Sequence, residues 1–191
     1  MGRKTSRLRQ RLAEAGLELD FVQDNLAYSR RAVLRGLHVQ NPHSQGKLVQ
    51  VLRGEVYDVA VDIRRGSPHF GQWVGVHLSG ENHRQFWVPE GFAHGYCVLS
   101  DEALFAYKCT DFYAPEHERT LYWNDPDVGI EWPLAEALLS DKDRRLPTLA
   151  EIKDILEPAF LSLSLETLQG LNASIAVDGR TAADVAREYL E

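Results

Sequence analysis

From Leu19 onwards, apolar and polar residues alternate in short runs separated by turn formers, which predicts a succession of β-strands. Residues 47–63 carry the clearest pattern: KLVQVLR, then Gly54-Glu55, then VYDVAVDI. In the second run Tyr57, Val59, Val61 and Ile63 share one face while Asp58, Ala60 and Asp62 share the other, the period of a half-buried strand. Arg65-Gly66-Ser67-Pro68 ends it. QWVGVHLSG then alternates Val74, Val76 and Leu78 against Trp73, Gly75 and His77, and RQFWVP extends again between the turns at Gly80-Glu81-Asn82 and Pro89-Glu90-Gly91. Strands interrupted about every ten residues predict an all-β sandwich or barrel, with a jelly roll foremost, since a parallel sheet would need helices between its strands.

Residues 93–109, AHGYCVLSDEALFAYKC, read as a hairpin about Asp101-Glu102. That register sets Tyr96 opposite Tyr107 and His94 opposite Cys109, with His94, Tyr96 and Tyr107 on one face and Cys97 on the other. No disulfide is expected between Cys97 and Cys109.

The two ends differ in kind. Residues 6–17 place Leu8, Leu12 and Ala15 at helical spacing before Gly16, predicting a short amphipathic helix. Residues 134–147 look irregular. Beyond them, 149–156 and 165–171 read as short helices, 174–177 as a strand, and Thr181 as the N-cap of a last helix. Residues 148–191 hold eight acidic and three basic residues. A boundary near Pro147 follows, with an all-β domain over 1–147 and a small α/β appendage over 148–191.

Charge and composition narrow the function. A formal charge of -7 and a pI near 5.5 disfavour nucleic acid as a partner, while leaving room for a local basic pocket. No apolar run approaches the roughly 20 residues of a membrane span. Five basic residues fall within the first eleven but no apolar stretch follows, unlike a secretory signal. With two cysteines, a disulfide scaffold is not expected and the cytoplasm is the default setting.

The candidate chemistry gathers in SRRAVLRGLHVQNPHSQGK, residues 29–47, where Arg35, His38 and Lys47 lie on two extended runs joined by Asn41-Pro42-His43-Ser44. Pro42 cannot donate to a ladder and biases Asn41 away from the helical region, so the chain should double back there and return Lys47 towards His38. An imidazole beside fixed cations suits proton abstraction from carbon with stabilisation of the resulting oxyanion. Simple alternation puts Arg35 and His38 on opposite faces, and a bulge at Gly36 would reconcile them. Asp143, in LLSDKD, is a candidate carboxylate to fix the His38 tautomer, and the Tyr107 phenol a candidate acid across the substrate. PEGFAHGY has the Pro-x-Gly-x-x-His form of the second cupin metal motif, but the His-x-His partner motif is missing, so no metal is expected. Phosphate-binding glycine loops and a GxSxG elbow are also missing.

The segments FVQDN, VLRGLHVQ, QGKLV, GEVYDVAVDIRRGSPHFGQWVGV, ENHRQFWVPEGFAHGY, AYKCTDFYAPEHER, WNDPDVGIEWP and LLSDKD resemble, in order, those of dTDP-4-dehydrorhamnose 3,5-epimerases over about residues 10–147. The resemblance implies a cupin-like jelly roll, homodimeric and without cofactor, that inverts C3 and C5 of dTDP-4-dehydro-6-deoxyglucose. It assigns His38 as the base with Asp143 as its partner, Lys47 to the enolate at O4, and Tyr107 as the acid. Gln23, Asp24, Asn25, Arg35, His94, Glu118 and Lys142 match positions holding the nucleotide sugar, and Tyr113 an aromatic near the nucleotide. Members of that family begin with about two further strands bearing a Gly-Asp-x-Arg-Gly-Phe-Phe type motif, so the domain is expected to lack its usual first strands. The stretch LETLQGLNASIAVDGRTAADVAREYLE resembles the end of glycine-betaine transporter binding proteins and reads as a fusion remnant. The rival functions are a nucleotide-sugar-binding homologue without turnover and a related isomerase or one-carbon epimerase.

Overall fold

The computed structural model describes residues 10, 12–13, 19–144 and 147–152. Two antiparallel sheets face each other. One has four strands in the order β1-β8-β3-β6, formed by β1 (Gln23–Arg30), β3 (Lys47–Arg53), β6 (Gln85–Val88) and β8 (Glu102–Cys109). The other runs β10-β2-β7-β4-β5, from β2 (Val33–Gln40), β4 (Glu55–Asp62), β5 (Trp73–Ser79), β7 (Phe92–Val98) and β10 (Leu138–Leu139). β9 (Glu118–Thr120) also pairs with β2, and β10 lies parallel to it. This is the expected all-β jelly-roll class, because each run that alternates in the sequence has one face to bury against the opposite sheet.

Leu48, Val49, Val51, Val56, Phe86, Tyr96, Val98 and Phe105 belong to the main core. A second cluster covers the outer face of the six-stranded sheet, where Leu121, Val128 and Ile130 pack with Leu149 and Ile152 of the short helix α1 (Leu149–Ile152) onto Val59, Val61 and Ile63. Asp125 ties this cover down: its Oδ2 accepts from the Leu149 amide at 2.7 Å, and its Oδ1 from the Asp127 amide at 2.8 Å. β4 is therefore buried on both faces, and the half-buried reading is corrected. Asp58 and Asp62 are fully buried. Asp62 is paired in charge with Arg64, whose Nη2 donates at 2.7 Å, and also accepts from Ser67 Oγ at 2.7 Å.

The hairpin expected at 93–109 does not form. β7 pairs with β2 and β4, whereas β8 pairs with β1 and β3, so the turn after Val98 carries the chain from one sheet to the other. FAHGYCV is buried along its whole length and needs a strand on either side as well as cover above and below. Tyr96 consequently meets β8 across the sandwich, its ring stacked on Phe105 at 4.2 Å. Cys97 and Cys109 are free thiols in different sheets.

Residues 134–147, expected to be irregular, contain β10 and a 3₁₀ turn over Asp141–Asp143. Of the helix expected over 6–17, Gln10, Leu12 and Ala13 are described; all three are helical, and Leu12 is buried in the main core. The elements expected after residue 152 lie outside the described residues. Among the described residues, no helix is long and apolar enough to cross a membrane.

Candidate active site

β2 and β3 follow one another in the chain but belong to opposite sheets. The bend at 41–43 makes the crossing, with the Gln40 side-chain amide donating to His43 O at 2.9 Å, and Lys47 comes back to face His38 across the sandwich. Arg35 and His38 share the inner face because β2 carries an extra residue between them: Arg35 pairs with Tyr96 and His38 with His94, three steps against two. Gly36 permits this bulge. Its φ is +127°, and a Cβ there would lie 2.6 Å from Gly95 Cα.

The inner faces enclose a cavity of about 280 Å³ at one end of the sandwich. Gln23, Asn25, Arg35, His38, Lys47, His94, Tyr107, Tyr113, Glu118 and Lys142 line it. Asp143 stands behind His38. Asp24 does not join them: alternation along β1 turns it to the outer face of the four-stranded sheet, where it accepts from Lys108 Nζ at 2.7 Å.

His38 Nε2 lies 2.7 Å from Asp143 Oδ1, and Ser140 Oγ donates to Asp143 Oδ2 at 2.6 Å. Burial opposes charge on Asp143, but the hydrogen bonds from His38 and Ser140, with the charges of His38 and Lys142, outweigh it and hold the carboxyl below the ordinary range. An ionised Asp143 can only accept, so Nε2 carries the proton, and in the neutral imidazole Nδ1 keeps the lone pair. This arrangement fixes the tautomer of a neutral base.

Lys47 is paired through its backbone with Val88 and Cys109, but its side chain makes no hydrogen bond or ion pair among the described residues. Burial pulls its pKa down, while Cys109, Glu118 and Asp58 act to raise it. An ammonium without a partner, facing a cavity, is suited to a developing negative charge. Burial also pushes the Tyr107 phenol up to about 12, so it keeps its proton until a strongly basic centre forms nearby.

The remaining groups shape the mouth and floor. Lys142 Nζ donates to Glu118 Oε2 at 2.9 Å, and Gln23 Oε1 accepts from the Tyr113 amide at 2.8 Å. Arg35 Nε donates to Ser29 Oγ at 3.2 Å. Among the described residues no three His, Cys, Asp or Glu side chains converge as metal ligands would.

The model of the dTDP-4-dehydrorhamnose 3,5-epimerase family matches residues 5–151. The chain belongs to that family. The dTDP-4-dehydrorhamnose 3,5-epimerase of Pseudomonas aeruginosa is 61% identical over 137 residues, which are 71% of this chain and 76% of that protein. The structure of the Legionella pneumophila dTDP-6-deoxy-D-glucose-3,5-epimerase in complex with dTDP-4-keto-L-rhamnose superposes with a TM-score of 0.77 at 54% identity, covering 82% of this chain and 84% of that one. A 3'-monoepimerase from Streptomyces bikiniensis in complex with dTDP-quinovose is more distant, with a TM-score of 0.71 and 34% identity over 90% and 84% of the two chains.

In this member of the epimerase family, several groups at the cavity escaped the sequence reading. Ser140 holds the far oxygen of Asp143, and Phe105 and Tyr96 form the floor. Asp58 is fully buried behind His94, whose Nε2 lies 2.9 Å from Asp58 Oδ1. A carboxylate inside a valine-rich strand is the one signal that could have pointed to Asp58. Nothing local marked Ser140 or Phe105, because their roles depend on which sheets face each other.

Proposed function

We propose that this chain is a carbohydrate epimerase that inverts C3 and C5 of dTDP-4-dehydro-6-deoxyglucose, giving dTDP-4-dehydro-L-rhamnose. The observation that carries the reading is the His38–Asp143 contact at 2.7 Å beside an unpartnered Lys47, with Tyr107 in the same cavity. His38 Nδ1 removes the proton from a carbon α to the C4 ketone. The C–H electron pair becomes the enolate double bond, and negative charge moves to O4, where Lys47 stabilises it. Tyr107 returns a proton to the opposite face, forming a new C–H bond of inverted configuration, and solvent exchange restores both groups. Both carbons flank one ketone, so a single oxyanion site serves both inversions.

Gln23, Asn25, Arg35, His94, Tyr113, Glu118 and Lys142 are the groups proposed to hold the nucleotide sugar. They supply cations for the diphosphate and polar groups for the sugar hydroxyls. The chain works as a homodimer in the cytoplasm and needs no cofactor.

Product analysis tests the reading. Wild type should invert both carbons, and Tyr107→Phe should still exchange the C3 proton while the doubly inverted product falls at least tenfold. An unchanged product yield would remove Tyr107 from the mechanism.

A further inference from the structure

Residues 110–114 carry the chain from β8 in one sheet to β9 in the other, and they form no ladder. Their main-chain groups still need partners. Three glutamine side chains supply them. Gln45, in the loop before β3, donates from Nε2 to Asp111 O at 2.8 Å. Gln23, the first residue of β1, accepts the Tyr113 amide at 2.8 Å. Gln40, the last residue of β2, donates from Nε2 to Phe112 O at 3.1 Å and accepts the Ala114 amide on Oε1 at 2.8 Å. Its other donor goes to His43 O in the crossing bend at 2.9 Å. The Gln40 amide is thus engaged at its oxygen and at both hydrogens, and turning it over would set oxygen against two carbonyls. Gln40 and Gln45 are buried, whereas Tyr113 keeps half its surface open (50%) at the cavity mouth. A half-exposed aromatic ring on a main chain held at successive residues is a contact surface prepared in advance.

We infer that Gln40 is a positioning residue for the nucleotide: its buried amide holds the 112–114 main chain so that the Tyr113 ring stands at the cavity mouth before a ligand arrives. The inference rests on the proposed role of Tyr113 beside the nucleotide. Gln40 acts through that loop, while the proton chemistry belongs to His38, Lys47 and Tyr107. A ring whose backbone is fixed beforehand loses less freedom on binding, so the effect of Gln40 falls on affinity.

Gln40→Leu fills similar space and removes the three hydrogen bonds. In the full chain the Kd for dTDP, read by calorimetry, and the KM for the sugar nucleotide should rise about tenfold, while kcat falls less than about threefold. A folded variant that binds dTDP as tightly as wild type, or one in which kcat falls and KM stays, would overturn the inference. A second measurement needs neither a variant nor turnover. In wild type without ligand, the Tyr113 and Ala114 amides should exchange with deuterated water far more slowly than those of an open loop, and dTDP should slow them by less than about threefold more. Exchange at the rate of an unstructured peptide until dTDP is added would show a loop ordered by its ligand and overturn the inference. Wild type that binds no dTDP would instead count against the nucleotide-sugar reading, with the two amides protected all the same.

Discussion

Asp143 reaches His38 from a 3₁₀ turn more than a hundred residues along the chain, so a change at 143 acts on the reaction through the imidazole. Asp143→Asn keeps an acceptor but loses the charge that stabilises the imidazolium formed when His38 takes a proton. kcat should fall roughly a hundredfold or more, with KM nearly unchanged. The same carboxylate affects stability. Its folded pKa lies below the ordinary 3.8, so it contributes stability above that value and loses it as pH falls through the lowered one. Thermal melts across the acid range should therefore fall less steeply for Asp143→Asn than for wild type; equal slopes would show that the pair adds nothing to folding. At this scale the sequence was informative about the type of chemistry. A histidine near cations and a phenol were visible as motifs, whereas the pairing of Asp58 with His94 depends on strand neighbours that one chain does not reveal.

Among the elements, β2 does most to build the site. Its bulge lets Arg35 and His38 face the same cavity, and the glycine at 36 together with Gly95 opposite gives the two strands room. Gly36→Ala sets a Cβ into Gly95 Cα and His94 O in a backbone conformation that favours glycine. It should cost about 3 kcal/mol of stability, read from urea unfolding; a loss within measurement error would mean that the strands can move apart freely. The bulge was legible in the sequence because alternation left Arg35 and His38 in conflict and a glycine stood between them. The 93–109 hairpin was misread for the opposite reason. A short polar turn between two apolar runs is equally compatible with a hairpin and with an arch between sheets, and only the burial of both faces of β7 decides.

For the whole molecule, the unequal cover of the two sheets is the main feature. The six-stranded sheet is closed on its outer side by Leu121, Val128, Ile130, Leu149 and Ile152, while the four-stranded sheet exposes Leu26 (64%), Tyr28 (55%) and Leu52 (50%) on strands β1 and β3. Among the described residues β1 is also an edge strand, with one side of its ladder unpaired. A second copy seated here would cover both the edge and the apolar side chains. Sedimentation should then report a dimer, and Leu26→Glu should shift it towards monomer; a monomeric wild type would contradict this assembly. Strand periodicity announced the sandwich, but not which sheet receives the C-terminal cover. That depends on Leu121, Val128 and Ile130, scattered through a segment without periodicity.

Proton exchange at carbon tests the central claim most directly. With the dTDP-4-dehydro-6-deoxyglucose substrate in deuterated water, wild type should place deuterium at both C3 and C5, and His38→Ala should place it at neither while still binding the nucleotide. Deuterium at either carbon with the folded His38→Ala variant would contradict His38 as the base.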